Sequence, residues 1–344
     1  MGAWLRRELS QLRAPKGLGW LFRERVHIEP KYQELMRSAG LDSVQSIFET
    51  KQGELLTSQG LYGEDDVSRI RLEDHGETRT FYVKCFWNRR LESILLRVAR
   101  GSLLGRSVMR AEFEKIKVLG AMGLRVPRVV GYGDQRFCGA VINTYMITKE
   151  ISDAMGVDFI VHQWMGQQPK EQQRALKEEL IRSIFSTIKV MHDNGFEHYD
   201  LFLRNLIIIE QNMSNLYVFD CPRGYQWPAF VMKGRRKIDL AILDAGATVA
   251  FSPSQRMRFM HQYLGCKRLS AEGKAFARDV LECAAPMRKK QLLRLERRLP
   301  ARTPSRVVSG ALSLRGSSYL DLSPRNSVQR SCWFDLLLLL LSAG

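Results

Sequence analysis

In RTFYVKCFW, residues 79–87, apolar and polar positions alternate. Phe81, Val83 and Cys85 fall on one side and Thr80, Tyr82 and Lys84 on the other. A period of two is the mark of a half-buried strand, and Lys84 is its central cation. After a basic stretch the period lengthens. In RAEFEKIKVLGAMGLRVPRVVGYG, Phe113, Ile116, Leu119 and Met122 recur at helical spacing, and Gly123 ends the predicted helix. Glu112 and Glu114 on that helix point about 200° apart at 100° per residue, so one of them at most can face Lys84. NTYMITKEI turns from apolar to polar, as a strand running into a hinge does. KEQQRALKEELIRSIFSTIKVMHDNG predicts a long amphipathic helix with Leu176, Leu180, Ile184, Ile188 and Met191 on one side, and His192 at its end reads as packing. SPSQRMRFMHQYL and APMRKKQLLRLERRL predict further helices.

Two short stretches carry chemistry. GFEHYDLFLRNLIII sets His198, Asp200, Leu201 and Asn205 just before a run of β-branched residues. This spacing matches a phosphotransfer loop in which an Asp accepts the proton of the acceptor hydroxyl and an Asn holds magnesium. Fifteen residues after Asn205, NLYVFDCPRG ends a strand-like run in Asp220 and a turn containing Pro and Gly. The template needs a second carboxylate there to hold magnesium against the ATP phosphates. The plainer reading, in which Asn205 and Asp220 cap a hairpin, is open on the residues alone.

In this order the motifs resemble the bacterial lipopolysaccharide kinases, the Kdo kinases and InaA-like proteins, from about Val67 to Pro300. The resemblance rests on FYVKCF, on RAEFEKIKVLGAMGLRVP as an Arg-x-x-Glu helix with its following turn, and on HYDLFLRN, VFDCPRG and RRKIDLAIL. It implies an α+β, two-lobed, protein-kinase-like fold with a small β-rich N-lobe and a larger helical C-lobe. It also implies an ATP- and magnesium-dependent transfer to a sugar hydroxyl, in a lipopolysaccharide core (Kdo or heptose). The family's helix Glu lies eleven residues before the Gly that ends the helix, which selects Glu112. Lys84 would hold the ATP phosphates, Glu112 would hold Lys84, and Asp200 would act as base. Asn205 and Asp220 would carry magnesium. Asp239 would brace the catalytic loop. Two features depart from the pattern: Cys221–Pro222 follows Asp220 where a protein kinase has Phe-Gly, and Gly60 and Gly63 do not form a G-x-G-x-x-G loop. Kinases of a protein or small-molecule acceptor, and a catalytically silent kinase-shaped binding protein, are the rival classes.

Breaks in pattern divide the chain into a helical extension (1–43), an N-lobe (44–150), a C-lobe (151–299) and a mobile tail (300–344) rich in Ser, Arg, Gly and Pro. In the extension, Trp4, Leu5, Leu9 and Leu12 cluster opposite Arg6, Arg7 and Glu8. The final CWFDLLLLLLSAG is shorter than the roughly 20 residues that span a bilayer. The 344 residues, 45% hydrophobic, suffice for a two-lobed core. The six cysteines show neither a C-x-x-C pair nor a metal-ligand cluster, and no secretory h-region opens the chain, so a reducing cytoplasm is expected. The net charge of +17 calls for an anionic partner. WNRRLESILLRVARGSLLGR and RKKQLLRLERR would meet an anionic glycolipid or the inner face of the membrane. No specific nucleic acid is expected, because no base-reading module accompanies the charge.

Overall fold

The computed structural model describes residues 22–50, 52–59, 65–87, 106–137 and 139–298. The amino-terminal apolar cluster, Gly60, Gly63, most of the basic stretch after Trp87 and the tail from residue 299 lie outside them.

The smaller lobe is a six-stranded antiparallel sheet, β1 (Phe22–Ile28), β2 (Glu54–Gln59), β3 (Asp65–Asp74), β4 (Glu77–Trp87), β5 (Val129–Phe137) and β6 (Ala140–Lys149), in the order β1-β5-β6-β4-β3-β2. Helices α1 (Gln33–Ser38) and α2 (Val44–Thr50) pack on it through a cluster that joins Tyr32, Met36, Leu41, Val44 and Ile47 to Phe81, Val83, Cys85 and Tyr145. The alternation in β4 is as expected on the core side, but Tyr82 on the opposite face is buried as well. It lines the cleft between the lobes.

Residues 22–43, assigned from sequence to a helical extension, contribute β1 and part of this small-lobe core. FRERVHI alternates around charges because it is an edge strand with a mostly exposed burial pattern, and edge strands carry such charges. Its register with β5 runs from Phe22 opposite Phe137 to Ile28 opposite Gly131.

Helix α3 (Val108–Ala121), capped by the Ser107 hydroxyl, turns Met109, Glu112, Ile116 and Leu119 inward. Of the predicted stripe, Ile116 and Leu119 are buried and Met122 packs against the same core, which Met109 and Glu112 extend toward the start of the helix. Phe113 instead packs on the paired His27 of β1 and Tyr132 of β5, with ring centroids 5.7 Å from His27 and 4.7 Å from Tyr132. Gly123 follows the helix at φ 81°, a conformation glycine adopts without strain.

The larger lobe is mainly helical. β7 (Ala154–Gly156), β9 (Leu206–Ile209) and β10 (Asn212–Val218) form a small sheet, and β8 (Phe196–Glu197) pairs with β11 (Tyr225–Gln226). Around them stand α4 (Lys170–Asp193), α5 (Ala229–Ala250), α6 (Pro253–Leu264) and α7 (Ala271–Arg298). Leu180, Ile184, Ile188 and Met191 of α4 enter the main core, with Leu176 at its margin. α6 starts on a capping box of Ser252 and Gln255. α7 begins well before APMR and runs through Pro286, so that proline lies inside the helix rather than opening it. Among the described residues no helix is long and apolar enough to cross a membrane.

Candidate active site

The two lobes meet at a cleft lined by Val67, Tyr82, Lys84, Met146, Ile207 and Asp220, among others. Its floor is the β9–β10 hairpin. Leu206 pairs with Val218, and the Phe219 amide donates to the Asn205 carbonyl at 2.8 Å. This register puts Asn205 and Asp220 at one end of the hairpin, fifteen residues apart in sequence and adjacent in space. The hairpin end thus holds the two residues together, as either reading requires.

Lys84 reaches the cleft from the central strand β4. Its ammonium donates to Glu112 at 3.3 Å and to Asp220 at 3.2 Å. Glu114 faces away and pairs with Arg106 and Arg110 on the helix surface. Of the two candidates the helix therefore offers Lys84 Glu112, the one that the family resemblance implied. Burial pushes the Glu112 carboxyl above its ordinary value, with Lys84 opposing and Asp220 reinforcing the shift. Burial also disfavours charge on Asp220, but Lys84, His198 and Arg204 together outweigh it and hold that carboxyl low. Asp220 therefore stays a carboxylate in the cleft.

The loop that carries Asp200 is built on backbone that few residues tolerate. Gly195 has φ 74°, and a Cβ there would lie 2.4 Å from the Trp227 carbonyl oxygen, so the entry to the loop requires glycine. Tyr199 and Asp220, neither of them glycine, also sit in the left-handed region at φ 62° and 52°. Such conformations persist where the surroundings over-determine them, typically at functional sites. Here the brace is visible. Asp239, fully buried on α5, accepts from the backbone amides of His198 and Tyr199 at 2.7 Å each. His192 closes the network, with Nε2 3.2 Å from Asp239 and Nδ1 2.7 Å from the Tyr263 hydroxyl. His198 joins the loop to the Asp220 strand through Nε2, 3.1 Å from the Phe219 carbonyl.

Asp200 receives the Asn205 amide on its backbone carbonyl at 2.8 Å and on its carboxylate at 3.1 Å. The Arg204 guanidinium lies 3.7 Å from the same carboxylate and 4.1 Å from the Phe202 ring centroid. Burial raises the Asp200 carboxyl above its ordinary value, opposed mainly by Arg204. The side chain is thereby a better proton acceptor than a solvated aspartate.

The residues fit a magnesium ion. Asn205 spends its amide on Asp200, while its carbonyl oxygen Oδ1 is buried without a hydrogen-bond partner. That orphan acceptor lies at the hairpin end shared with ionised Asp220. Among the described residues no cluster of three or more His, Cys, Asp or Glu could hold a metal. Magnesium in phosphotransfer sites needs fewer protein donors, since substrate phosphates and water complete its shell.

At the hinge, β6 leads out of the sheet at Lys149. The Glu150 amide donates to the Thr80 carbonyl at 2.9 Å, and the Tyr82 hydroxyl donates to the Glu150 carboxylate at 2.8 Å. Two residues escaped the sequence reading. Lys115, one helical turn after Glu112, donates to the Pro222 carbonyl and so ties α3 to the turn after Asp220. Its i+3 spacing from Glu112 put it on the right face, but the partner is 107 positions away. Arg204 lay inside the loop motif, four residues from Asp200, where an i,i+4 pair could have been read.

A β-rich lobe, a helical lobe and a hinge over a cleft holding Lys, Glu, Asp and Asn make this a phosphotransferase of kinase-like fold. More narrowly, the chain belongs to the lipopolysaccharide kinase (Kdo/WaaP) family, whose model matches residues 48–263. Members are kinases acting on hydroxyl acceptors in lipopolysaccharide biosynthesis, which entails the use of ATP. A solved structure described as WaaP in complex with acyl carrier protein is similar at TM-score 0.51 and 20% identity, covering 77% of this chain and 97% of that one. A crystal structure of an aminoglycoside-3'-phosphotransferase of type VIII is similar at TM-score 0.43 and 15% identity, covering 74% of this chain and 100% of that one. No curated protein sequence matches the chain.

Proposed function

We propose that this chain moves the γ-phosphoryl group of ATP to a sugar hydroxyl of a lipopolysaccharide core, Kdo or heptose, with magnesium as cofactor. The observation that carries the reading is the Lys84 ammonium held between Glu112 and Asp220, with the Asp200–Asn205 pair beside it. In this reading Lys84 holds the ATP phosphates, and Glu112 keeps the ammonium aimed at them. Asn205 Oδ1 and the Asp220 carboxylate hold the metal. Bound magnesium supplies charge neutralisation on the phosphates.

Asp200 accepts the proton of the acceptor hydroxyl as its oxygen forms a bond to the γ-phosphorus. The bond from that phosphorus to the bridging oxygen breaks, and ADP leaves with its electron pair. Little covalent chemistry falls to the protein, so positioning and charge stabilisation supply most of the acceleration. Arg204 beside Asp200 favours the ionised base. The anionic acceptor and the charge of +17 support work at the inner, cytoplasmic face of the membrane.

A kinase of a protein or small molecule would use the same catalytic set, and a silent binding protein would retain the fold without turnover. Incubating the purified chain with γ-labelled ATP and a panel of core glycolipids, free sugars and proteins separates the three. Label on core glycolipid or Kdo is expected. Label confined to protein or small molecules, or none on any acceptor, overturns the reading.

A further inference from the structure

Between Asp220 and the buried part of α5 the chain reads CPRGYQWPAFVMKGRRKI, residues 221–238, with five cations and no carboxylate. Three of the cations are engaged. Arg235 pairs with Glu197 at 3.0 Å, Lys237 pairs with Asp279 at 3.3 Å, and Arg236 lies over the Tyr263 and Phe276 rings. Arg223 and Lys233 are exposed and make no ion pair among the described residues. Close to them in sequence, Phe230 is 82% exposed and Tyr225 is 56% exposed. The Tyr225 ring rests against Trp227 at 4.3 Å between centroids. Folding gains little from a phenyl ring left in water at the start of a helix. Apolar groups exposed together and rimmed by charge mark an interaction surface.

The segment is continuous with the active site at both ends. It starts one residue after Asp220, and β11 pairs Tyr225 with Glu197 and Gln226 with Phe196, a few residues before Asp200. Arg235 bridges the two parts, lying 5.3 Å from the Trp227 ring and 5.8 Å from the Tyr199 ring. Tyr225 is thus linked through Trp227 and Arg235 to Tyr199, the residue before Asp200.

The chemistry favours one occupant. Two protruding rings and two free cations are too little for a stable protein interface, which buries about 800 Å² per partner. They suit a bilayer surface, where rings enter the headgroup boundary and cations meet lipid phosphates. We propose that Tyr225 and Phe230, flanked by Arg223 and Lys233, dock the protein on an anionic lipid surface with the catalytic loop turned toward the headgroups. The orientation of the cleft rests on the glycolipid acceptor proposed above; the docking itself does not.

The test is co-sedimentation of the full chain with vesicles of phosphatidylglycerol and phosphatidylethanolamine at 3:7, roughly a third anionic as in an acidic leaflet, against vesicles of phosphatidylcholine alone. Binding to the anionic vesicles is expected. Arg223→Gln with Lys233→Gln should weaken it about 25-fold, at roughly 5-fold per cation, and flatten its salt dependence. Tyr225→Ser with Phe230→Ser should lower it about as far, and Phe230→Trp should restore binding to the parent level when paired with native Tyr225. All variants should keep the parent's melting temperature and its nucleotide binding.

No binding by the parent, or equal binding to both vesicle types, overturns the proposal. So do variants that bind as the parent does, which would assign docking to other basic stretches. A parent dimer in sedimentation velocity that Phe230→Ser dissociates would make the patch an interface between copies, and would also refute it. Vesicle binding without any transfer to core glycolipid would sink the proposed acceptor and leave the docking surface standing.

Discussion

Replacing Asp239 with alanine tests how the catalytic loop is held. The substitution strips the His198 and Tyr199 amides of the carboxylate oxygens that accept them at 2.7 Å, inside a site that water does not reach. Each buried donor left without a partner costs about 1–3 kcal/mol, so the pair amounts to about 2–6 kcal/mol. At about 2 °C per kcal/mol, the lower end of the range for large domains, the melting temperature should fall by roughly 4–12 °C. Tyr199 would also lose the brace that keeps it at φ 62°, one residue before Asp200. A displacement of the base by about 1 Å would reduce kcat roughly 100-fold even in molecules that remain folded. Asp239→Asn keeps one acceptor and opposes an NH2 to the second amide, so its effects should be intermediate. Thermal melts and steady-state kinetics on the parent and both variants measure this directly. An alanine variant melting within about 2 °C of the parent with unchanged kcat would refute the bracing role.

The other expectations follow from neighbouring contacts. Glu112→Gln should lower kcat/KM by about 100-fold, as expected when a preorganised charge contact is lost, whereas Glu114→Gln, on the outer face with Arg106 and Arg110, should change it less than about 2-fold; equal effects would remove Glu112 from the site. The acid limb of the kcat/KM–pH profile should lie above the ordinary aspartate value of 3.8, since burial raises Asp200 and the charged base is lost as pH falls through that raised pKa. Arg204→Leu should move the limb to still higher pH, because Arg204 opposes the rise, and an unmoved limb would separate it from the base. Lys115→Met should raise the KM for magnesium-ATP about 10-fold with a smaller change in kcat, as the Asp220 turn loses its tie to α3. Lys115→Arg should recover much of that loss; kinetic constants that stay at parent values in Lys115→Met would leave the tie without function.

The parts of this fold that sequence reveals are those decided by local pattern. β4 alternates because one face meets the small-lobe core, α4 repeats because one stripe meets the large core, and the Asp200–Asn205 spacing is a property of a single loop. Helical spacing leaves Glu112 and Glu114 as alternatives, and the family resemblance, which sets the helix Glu eleven residues before Gly123, chooses between them. What escaped is what depends on partners far along the chain. β1 is an edge strand whose charges conceal its pairing with β5, and the pleated face carrying Tyr82 reads as polar although the second lobe covers it. Phe113 leaves the stripe that Ile116, Leu119 and Met122 share because His27 of β1 and Tyr132 of β5 give it a place of its own. Lys115 and the His192–Asp239–Tyr263 network join elements 71 or more positions apart at their widest, and no periodicity records that.

The central claim is that Asp200 is the base in a phosphotransfer to core glycolipid, and Asp200→Asn tests it most directly. The substitution preserves shape and removes the proton acceptor, leaving Lys84, Glu112 and Asp220 in place. Turnover of γ-labelled ATP onto the glycolipid acceptor should fall by at least about 100-fold, within the usual range for a lost general base. Calorimetric binding of magnesium-ATP and the melting temperature should stay near the parent's. Turnover close to that of the parent, with nucleotide binding intact, would contradict the account.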